Sequence, residues 1–208
     1  MSDAQSITQT WALDAGDSNR RFRILAIPGS LRQRSYNRGL LEAAQQLAPL
    51  GIDIQIVDLT QIPHYNSDVE EQGDPAPVAL LKEQIRRADA LLIATPEYNA
   101  SIPGVLKDAI DWASRPPAMS VVRGKPVATI SAAPGRFGAV RGQRVLRQIL
   151  DHVGAKVLAV PEVLVPQAGD LFDDAGVLRD EETRERIRAL VEALVSWTRS
   201  LQPEFIAA

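Results

Sequence analysis

A stretch near the start of the chain gathers hydroxyl, guanidinium and amide side chains ahead of a helical pattern. It reads GSLRQRSYNR at residues 29–38 and follows a short apolar run. The N-terminus of a helix offers free backbone N–H groups and a partial positive charge, to which hydroxyls and guanidinium groups add charge-assisted hydrogen bonds. This combination predicts a site for a terminal phosphate. Its candidate donors are Ser30, Arg32, Arg34, Ser35 and Asn37.

The stretch does not match the common motifs that bind nucleotide phosphates. It lacks the Gly-Lys-Ser/Thr of a P-loop, and Gly29 and Gly39 do not have the spacing of a GxGxxG dinucleotide fingerprint. A simpler interpretation is that Ser35 or Asn37 only caps the helix while the arginines are solvated. The position of the stretch directly after the first predicted strand favours the phosphate site.

A second polar stretch, PEYNASIPG at residues 96–104, also follows an apolar run. Its two prolines stiffen the backbone, so the loop can present N–H and C=O groups to a planar heterocycle with little loss of entropy. Tyr98 offers a ring surface, and Asn99 offers both a donor and an acceptor. Glu97 either belongs to the same surface or is a solvated acid. The stretch predicts one wall of a ligand site.

Both loops must be positioned by alternating strands and helices. Apolar or alternating runs predict strands at residues 23–28, 52–58, 89–95, 125–131 and 156–160, with 162–165 as a continuation or bulge of the last. Helical spacing of apolar residues predicts helices at 36–49, 76–88, 103–114, 141–153 and 180–200. This alternation implies a parallel sheet with helices on both faces. We expect an α/β, flavodoxin-like three-layer sandwich whose five-stranded parallel sheet has the order 2-1-3-4-5.

Such a sheet binds ligands beyond the carboxyl ends of its strands, where the strand order reverses. The loops after strands one, three and four meet there. The loop after strand four, SAAPGRFGAVRG at residues 131–142, is small, bendable and basic, and Gly135 and Gly138 permit close approach or a positive φ. After the second polar stretch, Ser101 is expected to cap the next helix and Pro103 to begin it. Residues 60–75 are expected to form a loop.

Composition narrows the classes of protein and of site. The chain has 208 residues, a net charge of −3, no cysteine and two histidines. Cysteine-based catalysis and disulfides are excluded, a metal site is not expected, and neither nucleic acid nor a membrane is an expected partner. The first 20 residues do not resemble a targeting segment. We expect residues 1–20 to form a mobile tail, residues 21–208 to form a single domain, and the protein to be cytoplasmic.

The two polar stretches together resemble a known family. GSLRQRSYNR at 29–38, combined with PEYNASIPGVLKDAIDWASRP at 96–116, is similar to the NAD(P)H-dependent FMN reductases, which include quinone, chromate and azo-dye reductases. The resemblance extends from residue 22 to about residue 200. The chain departs from the family pattern at Asp108, where Asn is usual, and at Ala100. Asp108 is expected to lie on a helix with little effect on the cofactor, and Ala100 could widen the pocket and alter substrate range.

The resemblance implies an FMN enzyme that takes two electrons from NAD(P)H and passes them to a quinone, chromate, an azo dye or free flavin. It implies no catalytic side chain, because the cofactor carries the chemistry. Arg136 could contact a phosphate of NAD(P)H and Phe137 could cover the ring, or both are surface residues. The implied cofactor-binding residues are Ser30, Arg32, Ser35, Tyr36 and Asn37, then Pro96, Glu97, Tyr98 and Asn99, then Ser131 and Gly135.

Two further expectations accompany the resemblance. The first is a homodimer or homotetramer, in which Trp112 and Arg115 would face a partner unless Trp112 belongs to the core. The second is a rival function on the same fold, a flavodoxin-type FMN electron carrier without NAD(P)H activity. Carriers of that type tend to be strongly acidic, which this chain is not.

Overall fold

The computed structural model describes residues 21–201. The strands within this range are β1 (Phe22–Pro28), β2 (Ile52–Ile56), β3 (Ala90–Ala94), β4 (Pro126–Ala132), β5 (Lys156–Val157) and β6 (Val163–Val165). The helices are α1 (Tyr36–Gln46), α2 (Ser67–Glu70), α3 (Ala76–Arg87), α4 (Gly104–Ala113), α5 (Val140–His152) and α6 (Glu181–Ser200). The predicted tail at residues 1–20 lies outside the described residues.

The strands form one parallel sheet in the order β2-β1-β3-β4-β5, which confirms the predicted topology. The last strand is in two pieces, because β5 pairs with the start of β4 and β6 pairs with its end. Pro161 lies between the two pieces and has no N–H to donate to a ladder. The expectation that residues 162–165 continue the fifth strand is therefore correct.

Each face of the sheet is covered by its own apolar core. Ile24 and Ala26 of β1 pack into the cluster under α1 and α6, whereas Leu25 and Ile27 pack into the cluster under α3, α4 and α5. Because side chains alternate along a strand, burial on both faces requires an unbroken apolar run. This is why the β1 and β3 sequences read as continuous hydrophobic segments.

Several element boundaries differ from the predictions. Helix α1 ends at Gln46 rather than at residue 49, since Pro49 disfavours helical backbone in the residue before it. The predicted loop at 60–75 contains the short helix α2, whose first N–H groups are capped by Asn66. Strand β5 has only two residues. Helix α4 begins at Gly104, with Pro103 as its N-cap and no side-chain cap, so Ser101 does not cap it as predicted.

Candidate active site

The loop after β1 is pressed against the end of β3. Its first N–H, on Gly29, donates to the Ala94 carbonyl oxygen at 2.7 Å. A Cβ atom on Gly29 would lie 2.9 Å from that oxygen and 3.0 Å from a methyl carbon of Leu106, so no larger residue fits without displacing backbone. The absence of a side chain thus lets the loops after β1 and β3 start side by side, at the point where the strand order reverses.

The N-terminus of α1 carries a donor set suited to an anion. Ser35 is its N-cap, and its hydroxyl oxygen accepts the Arg38 N–H at 3.4 Å, so the capping interpretation is correct as far as it goes. The Ser30 hydroxyl accepts the Arg32 N–H at 3.3 Å. Both serines are buried, Arg32 and Arg34 are exposed, and the first turn of α1 contains no acidic residue. Capping uses the oxygens of the two hydroxyls and leaves their hydrogens for a ligand.

Two aromatic contacts hold the side chains around this helix start. The Arg32 guanidinium lies 5.0 Å from the centroid of the Tyr36 ring, within the range of a cation–π contact. The Tyr36 ring in turn packs against Phe172, with centroids 5.1 Å apart. The Tyr36 ring therefore packs between the Arg32 guanidinium and Phe172, which belongs to the segment before α6.

Asn37 is engaged inside the protein. It is buried, its amide N–H donates to the Ala132 carbonyl at 3.0 Å, and its amide oxygen accepts the Ala132 N–H at 2.9 Å. These paired bonds tie the first turn of α1 to the last residue of β4. Asn37 thus connects the loop after β1 with the loop after β4, and its predicted contact with the phosphate stays a prediction.

The loop after β3 contains a two-residue hairpin turn. The Tyr98 N–H donates to the Ser101 carbonyl at 2.9 Å, and the Ser101 N–H donates to the Tyr98 carbonyl at 3.0 Å. Between them, Asn99 and Ala100 have φ values of 51° and 62°, the left-handed backbone of a type I′ turn. Ser101 pairs through its backbone instead of capping α4. Both turn residues and Tyr98 are exposed at the rim.

Glu97 points toward α5. One of its carboxylate oxygens accepts the backbone N–H groups of Arg141 at 3.0 Å and Gly142 at 3.2 Å. The other oxygen lies 2.5 Å from the Arg141 guanidinium. Glu97 is therefore not a solvated acid. The sequence pattern did not predict that Glu97 would bind the start of α5. The one available signal was Gly142, because a glycine early in a helical pattern can indicate close packing.

The loop after β4 is held by a buried hydroxyl. Ser131 is fully buried, its hydroxyl donates to the Gly138 carbonyl at 2.6 Å, and it accepts the amide N–H of Gln143 at 3.1 Å. Ser131 has no exposed surface in this structure, and its predicted contact with the cofactor stays a prediction. Gly135 is exposed. The Arg136 guanidinium lies 4.7 Å from the centroid of the exposed Phe137 ring, so these two side chains stack on each other at the surface.

The structure shows the contacts of Asp108, which departs from the family pattern, and of Trp112, which was expected at an interface. Asp108 lies on α4 as expected, and its carboxylate accepts the Tyr65 N–H at 3.0 Å and contacts a ring nitrogen of His64 at 2.8 Å. Trp112 is fully buried and its indole N–H donates to the Pro63 carbonyl at 2.9 Å. Trp112 is thus a core residue that anchors the segment after β2, and it does not face a partner. Arg115 is exposed.

A protein-family model described as NADPH-dependent FMN reductase matches residues 22–170. An NAD(P)H-dependent FMN reductase of Pseudomonas aeruginosa is 48% identical over 181 residues, which cover 87% of this chain and 97% of that protein. The chain belongs to the NADPH-dependent FMN reductase family. A member of this family is an enzyme that works with FMN and with NAD(P)H as co-substrate, which confirms what the two motifs implied.

Other similar proteins agree with this membership of the FMN reductase family. A quinone reductase of Pseudomonas putida is 40% identical over 178 residues, or 86% of this chain and 95% of that protein. The structure of FerB, a flavoenzyme NAD(P)H:(acceptor) oxidoreductase from Paracoccus denitrificans, has a TM-score of 0.78 and 36% identity, covering 86% of this chain and 98% of that one. A flavodoxin from Pseudomonas aeruginosa, at 14% identity and a TM-score of 0.56, shares the fold alone.

The residues of this FMN reductase fit the cofactor that its family uses. Buried hydroxyls, exposed arginines and a helix N-terminus without an acid suit the phosphate, which carries up to two negative charges. Within residues 21–201, no group of three His, Asp or Glu side chains could hold a metal ion. No helix in the same range is long and apolar enough to cross a membrane.

Proposed function

We propose that the protein is an FMN-dependent NAD(P)H oxidoreductase that reduces quinones, with FMN bound beyond the carboxyl ends of β1, β3 and β4. The observation that carries the proposal is the N-terminus of α1, where two buried serine hydroxyls and two exposed arginines surround a helix start without an acid. This helix start lies beside the point where the sheet reverses its strand order, where sheets of this kind bind nucleotides.

The phosphate of FMN would be held by the hydroxyls of Ser30 and Ser35 and by Arg32. Tyr36 would support Arg32, and Asn37 would hold this loop against the end of β4. The support for these roles is the burial of the two hydroxyls and the cation–π contact of Arg32. Charge-assisted hydrogen bonds to a phosphate are among the stronger polar contacts in proteins.

The isoalloxazine ring would lie along the loop after β3. The backbone of Pro96 and Glu97 and the exposed Tyr98 and Asn99 would form its wall, with the exposed Gly135 of the loop after β4 opposite. When bound, FMN accepts two electrons from the nicotinamide and passes them on to the second substrate. The protein contributes position, polarity and the exclusion of water, and we assign no proton-transfer side chain.

A planar aromatic acceptor suits this rim better than a small oxyanion. Tyr98 and Phe137 are both about half exposed, at 52% and 55%, and they belong to the loops after the adjacent strands β3 and β4. Exposed rings at the rim can stack on a quinone. Relatives named quinone reductase and 2-hydroxy-1,4-benzoquinone reductase support the same choice. The rim disfavours chromate alone, because azo dyes and free flavin are also planar and aromatic, and quinones rank first among the three planar acceptors because of the names of these relatives.

The cellular and oligomeric settings are part of the proposal. We propose that the protein acts in the cytoplasm, as the composition suggested, and that it forms a homodimer or homotetramer, as the family resemblance implied. Light scattering coupled to size-exclusion chromatography measures the assembly directly, and a monomer of 22.7 kDa would contradict that part.

Visible spectroscopy and rapid mixing test the function. The purified protein, after incubation with FMN and removal of the excess, is expected to show bound flavin, and anaerobic mixing with NADPH or NADH is expected to bleach it rapidly. Steady-state assays then compare benzoquinones with chromate, an azo dye and free FMN as acceptors. A protein that binds no FMN contradicts the proposal, and bound flavin that neither nucleotide reduces points to an electron carrier instead.

A further inference from the structure

Helix α5 has no cap within its own sequence. Its N-cap position is occupied by Ala139, which has left-handed backbone at φ 64° and no side chain able to accept a hydrogen bond. The first N–H groups of a helix need acceptors, and an acidic group is favoured there by the helix dipole. The acceptor comes from Glu97, which lies 44 residues from Arg141 along the chain. Glu97 therefore caps α5 from the loop after β3.

The backbone packing at this contact is as close as the hydrogen bonding. A Cβ atom on Gly142 would lie 3.0 Å from the Pro96 carbonyl oxygen and 3.2 Å from Cα of Glu97. Only glycine lets the first turn of α5 approach the loop at this distance. The contact thus has two independent components, a side-chain cap and a backbone fit, and both act on the Pro96–Glu97 segment.

The Glu97 carboxylate is held by the backbone of α5, and its charge is balanced by the Arg141 guanidinium. Its side chain is only 10% exposed, whereas that of Arg141 is 64% exposed. Burial by itself would raise the pKa of Glu97, but the Arg141 guanidinium and the N–H groups of Gly142 and Arg141 outweigh it and lower the pKa below its ordinary value of 4.5. At neutral pH the carboxylate is ionised, and the Glu97–Arg141 pair carries no net charge.

We propose that Glu97 and Arg141 are positioning residues that join the two flavin-facing loops and set the local charge beside FMN. The proposal rests on the function proposed above, because it requires FMN in the crevice. Joining the loops fixes the wall along which the ring would lie. Cancelling the carboxylate matters because reduction adds negative charge to FMN, and an unpaired carboxylate nearby would oppose it.

Single and combined substitutions separate a charge effect from a simple loss of structure. Glu97→Gln keeps an oxygen that can accept the N–H groups but leaves the Arg141 cation unpaired, so the midpoint potential of bound FMN is expected to rise. Arg141→Gln leaves the carboxylate without its cation, so the potential is expected to fall. The combined Glu97→Gln/Arg141→Gln variant is neutral again and is expected to return toward the wild-type potential. Disruption of packing would give no such pattern of signs.

The positioning part is tested by FMN affinity. Glu97→Ala, which removes the cap altogether, is expected to raise the Kd for FMN about tenfold, because a loop released from α5 has to be ordered again when FMN binds. Glu83→Gln is the matched control, because Glu83 also pairs with an arginine, Arg87 at 2.7 Å, but on the exposed face of α3. Circular dichroism and urea unfolding of the apo-proteins identify any variant that fails to fold, and the two Gln variants then carry the test.

The experiment uses the wild-type protein loaded with FMN as its reference. Shifts of the potential in opposite directions in the two Gln variants, with weaker FMN binding in Glu97→Ala but not in Glu83→Gln, support the proposal. The proposal is overturned if the two potentials move in the same direction, or if both the potentials and the FMN affinity keep their wild-type values. Either result leaves the proposed function intact. A wild-type protein that takes up no FMN would instead overturn the proposed function, and this inference with it.

Discussion

The candidate site depends on a few side chains, and most of them already form hydrogen bonds within the protein. Ser30, Ser35 and Asn37 all make backbone hydrogen bonds before any ligand is considered. Arg32 differs because it is exposed and, among residues 21–201, its guanidinium contacts the Tyr36 ring without a hydrogen bond or an ion pair. A side chain placed in this way can give its hydrogen-bond donors to a ligand at little cost, since no internal bond has to break.

Arg32 is therefore the residue whose removal should weaken FMN binding most directly. We expect Arg32→Ala to lose about 1.5–3 kcal/mol of binding free energy, the usual value for a hydrogen bond to a charged group. Titration of the apo-protein with FMN, followed by flavin fluorescence, measures it. Arg38→Ala is the control, because Arg38 lies on the same helix but pairs with Glu42 at 3.0 Å. Equal affinities for the Arg32 variant and the wild type would remove Arg32 from the site.

Ala100 has a structural consequence in addition to the effect on substrate range that the family pattern suggested. Its φ of 62° places an L-residue in left-handed backbone, which costs roughly 1–2 kcal/mol. Ala100→Gly relieves this strain and is expected to raise the free energy of unfolding by about 1 kcal/mol, measured by urea denaturation. Ala79→Gly, on the exposed side of α3, is expected to lower it by a similar amount. A loss of stability in both variants would contradict the assignment of the turn. An effect of Ala100 on substrate range stays a prediction.

At the scale of the element, the loops of the site are held by cross-links between helices and strand ends. Asn37 joins α1 to β4, Glu97 joins the loop after β3 to α5, and Gln143 donates from α5 to Ser131 and to β6. Each cross-link uses a buried or half-buried polar group with a backbone partner. Such bonds hold loop backbone in position, and the chain has no cysteine with which to form a disulfide there.

Gly142 tests one of these cross-links by backbone fit alone. Gly142→Ala places a methyl group 3.0 Å from a backbone oxygen that cannot move freely, and overpacking of this kind costs about 1–3 kcal/mol. Alanine is favoured over glycine by about 1 kcal/mol in a helix interior, but Gly142 lies in the first turn of α5. We therefore expect a net loss of stability in urea denaturation.

The control for this substitution is Gly104→Ala. Gly104 is the first residue of α4, and a Cβ atom there would meet nothing within 4 Å. Its stability is expected to equal or exceed that of the wild type. If Gly142→Ala is as stable as Gly104→Ala, the close approach of α5 to the Pro96–Glu97 segment is not as the structure describes it.

At the scale of the whole molecule, the cofactor and the fold should stabilise each other. A ligand that binds only the folded state adds RT ln(1 + [L]/Kd), or about 2.7 kcal/mol when its concentration is 100 times the Kd. We expect this gain from FMN in urea unfolding. Riboflavin lacks the phosphate and is expected to give a clearly smaller gain at the same concentration. Equal gains from the two would show that the N-terminus of α1 does not hold the phosphate.

Much of the molecule was predictable from the order of its residues. Continuous apolar runs in β1 and β3, helical spacing in α1, α4, α5 and α6, and turn-rich segments between them led to the correct strand order. The pair of motifs led to the correct family. These features can be predicted locally, because a strand buried on both faces or a helix buried on one face has a recognisable apolar pattern in consecutive residues.

The polar groups of the loops that stay available to a ligand could be identified only from the folded structure. The order of the residues was enough to predict a parallel α/β sheet and membership of a flavin-dependent family, and it marked two loops as candidates for the ligand site. The commitment of Glu97 to α5, of Asn37 to β4 and of Trp112 to the core involves partners 44, 95 and 49 residues away, respectively. Such partners meet because the sheet sets β1 beside β3 and β3 beside β4. Contacts of this kind produce no periodic pattern in the sequence, so they cannot be predicted from neighbouring residues.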